Sequence, residues 1–300
     1  MRMVSVLEEY ARTNEGRTTL VETPEAVPLF RIVPLQDTAG SRVDNYQGVQ
    51  REDTGEVVSV VSSRYALLQH RAVAEAVHAI GTSLEVPGEG PEAPRGPHFP
   101  REQIRLYAHG RRMEVKLVIG TRYGLDGANE FYPGIRVLNS LDGAWALRME
   151  AFAVRIACTN QLYAGSRSYM EFREPHLSSS EDMLGQLQRA TYEVLRHFDE
   201  AIRLYSQSMD QTLDIPEFMP ALLDEGIPRL HVERMAEKLP EHFGSTLWGE
   251  IPRWDAYQIA TDYLTHEVHV NPDRERQFER AAARALLLEG GANPAESALA

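Results

Sequence analysis

The chain has 300 residues, 43% of them hydrophobic and 25% charged, enough for one large domain or two small ones around a proper core. Its formal net charge of −13 argues against a protein that coats nucleic acid over its whole surface, and no run of about 18 apolar residues offers a membrane span. The single cysteine, Cys158, excludes an internal disulfide and a thiolate zinc cluster, so a reducing cytoplasm is the expected location.

Residues 1–26 read as a flexible arm. The start, Met1-Arg2-Met3-Val4, turns acidic at Glu8 and Glu9 and lacks the apolar run of a secretory signal. Short apolar runs at 29–33 and 57–61 read as strands. Ala66, Val73, Ala76, Val77 and Ile80 then fall at helical spacing, with Gly81 placed to end the helix. Pro87, Pro91, Pro94, Pro97 and Pro100 make residues 87–100 a loop or linker.

Met113, Val115, Leu117 and Ile119 alternate with Glu114, Lys116 and Val118, the period of two that marks a half-buried strand. Phe131, Ile135 and Val137 alternate with Arg136, and Trp145, Leu147 and Met149 alternate with Arg148 and Glu150. Leu141-Asp142-Gly143 between them is a hairpin signal. A three-residue loop with Gly143 left-handed puts Arg136 opposite Arg148 and keeps the apolar residues on one face.

After Gly165 the pattern turns helical. Ser178 with Glu181 resembles a capping box, and Met183, Leu187, Ala190, Val194, Phe198 and Ile202 form one apolar stripe. A further helix spans 254–264. Asn271-Pro272 opens the last helix, Gly290 ends it, and residues 291–300 read as a disordered tail. The expected architecture is therefore α+β: a mostly antiparallel sheet within residues 27–175, and a helical region at 176–290 packed on it.

The motifs of catalysis are missing. His266-Glu267-Val268-His269 sets its histidines three apart, whereas a helical zinc protease needs them four apart, so this segment reads as a helix end. There is no nucleophile elbow, no phosphate-binding P-loop and no dinucleotide fingerprint. Cys158 reads as a buried structural thiol. No cofactor and no metal is expected.

Charge is uneven along the chain. Residues 101–173 carry 11 basic and 7 acidic side chains, and all 31 basic residues except Lys116 and Lys238 are arginine. Lys116, Arg136 and Arg148 occupy the polar positions of three successive strands, with Arg112 in the same region. Like charges facing each other repel unless an anion separates them. Glu114 and Glu150 would do so in a plain salt-bridged sheet, and a phosphate would do so in a binding surface. Tyr132 shares the parity of Arg136 and offers a ring for base stacking. Arg155 and Asn160 complete the candidate contacts.

Several segments resemble a phage- and plasmid-borne family, domain of unknown function 932. They are Val58-Ser59-Val60-Val61-Ser62-Ser63-Arg64-Tyr65 with Gln69, then Asn139-Ser140-Leu141-Asp142-Gly143, then Val154-Arg155-Ile156-Ala157-Cys158-Thr159-Asn160. Trp254-Asp255-Ala256-Tyr257, Thr261, His266 and Glu279-Arg280 continue it, so the resemblance spans roughly residues 50–290. It implies a mobile-element setting and no particular activity. The order of strands followed by a helix across 113–200 is also similar to Rad-fifty-two-type single-strand annealing proteins, which form rings and hold single-stranded DNA along a basic groove. The leading expectation is a non-enzymatic single-stranded DNA-binding or annealing protein that self-associates through open sheet edges. The alternatives are a factor that binds a protein partner through its acidic helical half, and a metal-dependent nuclease or hydrolase.

Overall fold

A computed structural model describes residues 19–83, 102–119, 123–124, 130–155, 161–163, 171–177, 179–196, 205, 207–239, 249–268 and 272–287. Residues 1–18 of the expected arm, the 87–100 segment, Cys158, Asn160, Ser178 and the 291–300 tail lie outside these. The fold is α+β, with antiparallel sheets and helices gathered in the C-terminal part. It forms two compact units, and the described residues of the first come from 19–119, 132–151 and 171–196.

In the first unit, strands β1 (Thr19–Val21), β2 (Phe30–Gln36), β3 (Arg42–Arg51) and β4 (Val57–Ser62) precede helix α1 (His70–Ser83). β2, β3 and β4 form an antiparallel three-stranded sheet. Its inner residues Phe30, Val49, Val58 and Val61 pack with Leu141, so this small sheet is anchored on a residue far along the chain. Each such buried side chain contributes about 1.5–3 kcal/mol relative to exposure.

The larger sheet of this unit has the order β1, β5 (Glu102–Tyr107), β6 (Arg112–Val118), β8 (Glu130–Ser140), β9 (Leu147–Arg155) and β11 (Glu171–Glu174). The apolar parity of β6 faces α1, as the alternation at 113–119 requires. There Gly81 is a packing residue: a Cβ on it would lie 2.9 Å from Leu117 Cδ1. Gly81 therefore does not end the helix, which runs on to Ser83 and brings its backbone onto β6. The helix also starts later than the spacing predicts. Ala66 gives its amide to the His176 carbonyl (2.9 Å), so the chain before His70 is a connector.

The β8–β9 connection spans 141–146, longer than the three-residue loop expected. Gly143 is left-handed as foreseen (φ 71°), but Ser140 caps the opening of the loop with its side chain. Ser140 Oγ accepts the Trp145 amide and donates to the Trp145 carbonyl, both at 3.0 Å. Helix α2 (Ser180–Arg196) follows β11. Its cap is Ser179, whose Oγ accepts the Asp182 amide at 3.2 Å, so the capping pair sits one residue beyond the Ser178–Glu181 expectation. Met183 and Leu187 of the foreseen stripe are fully buried.

The second unit draws its described residues from 123–131, 152–163 and 205–287. β7 (Tyr123–Gly124) pairs with the start of β8, and β10 (Gln161–Tyr163) pairs with residues 152–154 of β9. β12 (Thr212–Asp214) pairs with β13 (Glu250–Pro252), and helices α3 (Ile215–Asp224), α4 (Arg229–Glu237), α5 (Arg253–His266) and α6 (Pro272–Leu287) pack around them. Pro272 opens α6 as expected. Tyr257, Ala260, Ala281 and Ala282 are buried, and the three alanines suit the close α5–α6 packing. No helix among the described residues is long and apolar enough to cross a membrane.

Candidate functional site: a charged layer on the large sheet

Residues directly opposite in an antiparallel pair share a face. The register pairs Arg105 with Glu114, Tyr107 with Arg112, Lys116 with Arg136 and Arg148 with Arg173. Five strands thus carry six basic positions on one face: Arg105, Arg112, Lys116, Arg136, Arg148 and Arg173. Within the first unit, the acidic positions interleaved on these strands are Glu114, Glu150 and Glu171, the last opposite Glu150; Glu130, at the same parity of β8, belongs to the second unit.

The sequence reading takes this as an open polar face, and the structure corrects that. Lys116 is 2% exposed, Arg136 3% and Arg148 9%, with Glu114 and Glu150 fully buried. Strand β6 is buried from Met113 to Val118 on both faces. A period of two distinguishes a polar from an apolar face, but it does not tell whether the polar face meets water. Exposure survives at the rim: the Arg105 side chain is 29% exposed and that of Arg112 26%, and Arg173 is exposed outright.

Glu114 is the hub. Its Oε1 lies 3.6 Å from Lys116 Nζ and 3.8 Å from Arg136 Nη1, and its Oε2 lies 3.8 Å from Arg105 Nη1. Tyr107 donates its hydroxyl to Oε2 at 2.9 Å. Burial pushes the Glu114 carboxyl up, but Lys116, Arg136, Arg105 and the Tyr107 hydrogen bond outweigh it and hold the group below its ordinary value. Across β8 and β9 the contact is Arg136 to Glu150, at 3.2 Å. Glu114 thus lies among Lys116, Arg136 and Arg105, and Glu150 engages Arg136. Arg112 donates to Asp142 Oδ2 at 2.8 Å and lies over the Trp145 ring, 5.4 Å from its centre.

Of the remaining candidates, Tyr132 stands in β8 and Arg155 ends β9, with their side chains outside the description, and Asn160 lies outside it altogether. Two residues of the layer were missed, Arg105 and Arg173. The alternation Ile104-Arg105-Leu106-Tyr107 was the available signal for β5, hidden beside the proline-rich stretch. Nothing local places β11 next to β9. Among the described residues, no group of three histidine, cysteine or acidic side chains is placed to hold a metal ion. In the His266–His269 segment, Glu267 is engaged by Lys238 at 2.6 Å.

Beside the layer lies a node built from the other segments singled out in the sequence. Tyr65 donates its hydroxyl to the Ser140 carbonyl and Ser59 to the Leu141 carbonyl, both at 2.6 Å. Gln69 Oε1 accepts the Phe30 amide. Asn139 Nδ2 donates to the Leu68 carbonyl at 3.1 Å and approaches His70 Nδ1 at 2.9 Å. Burial drives the His70 imidazole down to about 3, although the Arg111 and Gly110 carbonyls pull the other way. His176, stacked on Tyr65 with ring centres 5.0 Å apart, is also lowered by burial. These residues fix the β8–β9 turn, and so the layer beside it, to the chain entering α1.

Residues 57–287 match the family model described as a domain of unknown function (DUF932). The chain belongs to that family. The matched region begins at β4 and ends with α6, so it holds the whole charged layer and, apart from Phe30, the Tyr65–Asn139 node of this DUF932 chain. No curated protein and no solved structure matches it.

Proposed function

We propose that this chain binds single-stranded nucleic acid, DNA in the first instance, along the basic rim of the charged layer. The observation that supports the reading is the register itself, which in the first unit sets six basic positions against three acidic ones on one sheet face. Arg105, Arg112 and Arg173 are the accessible members and are the groups proposed to meet phosphates, since a guanidinium holds two oxygens at once. Lys116 and Arg136, buried and ion-paired, and the buried Arg148 act from beneath as a fixed positive field rather than as first contacts.

In this reading the acidic remainder of the chain confines the polyanion to one face. A mobile-element setting and an annealing role, including the ring assembly of Rad-fifty-two-type proteins, belong to the same proposal. The test is the fluorescence anisotropy of labelled oligothymidylate, and of a duplex of equal length, as salt is raised. Binding through three phosphates gives a log–log salt slope near −2, about −0.7 per contact on a single strand. The absence of binding at low salt, or affinity indifferent to salt, would remove the reading.

A further inference from the structure

Glu114 makes poor use of its surroundings. Three cations ring one carboxylate, yet every nitrogen–oxygen separation is 3.6–3.8 Å. A charge-assisted hydrogen bond closes to about 2.7–2.9 Å. Among the described residues, the one hydrogen bond Glu114 accepts is neutral, from Tyr107, and its Oε1 is buried without one. The ring formed by Arg105, Lys116 and Arg136 is thus wider than the carboxylate inside it. A tetrahedral oxyanion has more oxygens on longer bonds, and would reach all three cations. The ring also has an outlet, because Arg105 and Tyr107 on β5 are only half-buried while Lys116 and Arg136 are closed in.

We infer that Arg105, Lys116, Arg136 and the Tyr107 hydroxyl form a phosphate site, which Glu114 occupies as an internal competitor when no ligand is bound. Displacement breaks no covalent bond, only the Tyr107 hydrogen bond and the loose ion pairs of Glu114. The carboxylate swings out past Tyr107, and the phosphate takes the Tyr107 hydrogen bond and the three cations. This deepens the nucleic-acid reading and rests on it for the source of the phosphate, a phosphodiester of the bound strand. A free phosphate would show the same chemistry without that reading.

The experiment is made on the full chain with Glu114→Gln, using two probes: inorganic phosphate followed by thermal melting, and labelled oligothymidylate followed by anisotropy. Removing the competitor should give the variant a phosphate-dependent rise in melting temperature that exceeds that of the unaltered chain. It should also tighten oligothymidylate binding, because the phosphate held by Arg105 then meets Lys116, Arg136 and the Tyr107 hydroxyl as well. If Glu114→Gln is unfolded without phosphate, phosphate should restore folding, and a chain that stays unfolded overturns the inference. A Glu114→Gln/Lys116→Met variant removes one charge of each sign and should lose the phosphate effect; its persistence would also overturn it. A phosphate effect with no oligothymidylate binding in either chain keeps the site and removes the nucleic-acid reading. No phosphate effect, with oligothymidylate binding unchanged, does the reverse.

Discussion

At the scale of residues, the buried charges set the most demanding conditions. Glu114 stands among three cations with no exposure, and removing one partner of a buried ion cluster leaves charge uncompensated. Glu114→Leu is expected to cost about 3–5 kcal/mol in urea unfolding without added oxyanion, the range for breaking buried pairs. A loss below about 1 kcal/mol would mean the layer is hydrated and easily relaxed. His70 sets a different condition. Its folded value is depressed to about 3, so the unfolded chain takes up a proton first as pH falls. The contribution of neutral His70 is complete above the ordinary histidine value of about 6.5 and is lost steadily below it, at about 1.4 kcal/mol per pH unit. His176 adds to this limb, since burial lowers it too. Unfolding midpoints measured between pH 7 and pH 5 should fall accordingly, and His70→Asn should flatten the limb; an equally steep limb in that variant would place its origin elsewhere.

At the scale of elements, two contacts carry the fit of α1 to its neighbours. Gly81 permits the helix to lie on β6, so Gly81→Val overpacks against Leu117 and is expected to destabilise by about 1–3 kcal/mol. Gly81→Ala, at 2.9 Å from a side-chain methyl, should cost less. Tyr65→Phe removes the hydrogen bond to the Ser140 carbonyl and should cost about 0.5–1.5 kcal/mol, or more if that buried carbonyl goes unmatched. Both are read by chemical unfolding, and a neutral Tyr65→Phe would show that the node does not hold the turn. Much at this scale was legible in the sequence. The alternation at 113–119, 131–137 and 145–150 marks β6, β8 and β9, Pro272 opens α6, and Gly143 takes the left-handed turn. The misses have physical reasons. Gly81 looks like a helix end because glycine is the usual C-cap, and only tertiary packing against Leu117 reveals its use. The turn after Ser140 is longer than parity implies because the Ser140 side chain stands in for a ladder bond.

At the scale of the whole molecule, the α+β class and the DUF932 membership follow from patterns already visible in the chain. The candidate site was only half legible. Lys116, Arg136 and Arg148 do share a sheet face, but alternation gives parity and not depth, so their burial was hidden. Arg105 joins them through β5, whose short alternation stands beside the proline-rich stretch, and Arg173 through β11, which no local signal places next to β9. Six of the eleven basic residues of 101–173 share one face of one sheet, in a chain whose net charge is −13. On the proposed function, this layer draws a polyanion locally while the acidic remainder repels it.

The most direct measurement is a salt titration of oligothymidylate binding by the unaltered chain and by an Arg105→Gln/Arg173→Gln variant shown to be folded. The account predicts tight binding at low salt in the unaltered chain, and in the variant a weaker affinity whose slope is shallower by about 1.4, two phosphate contacts. Binding that survives in the variant with an unchanged slope would contradict the rim as the site, and no binding in either chain would contradict the function itself.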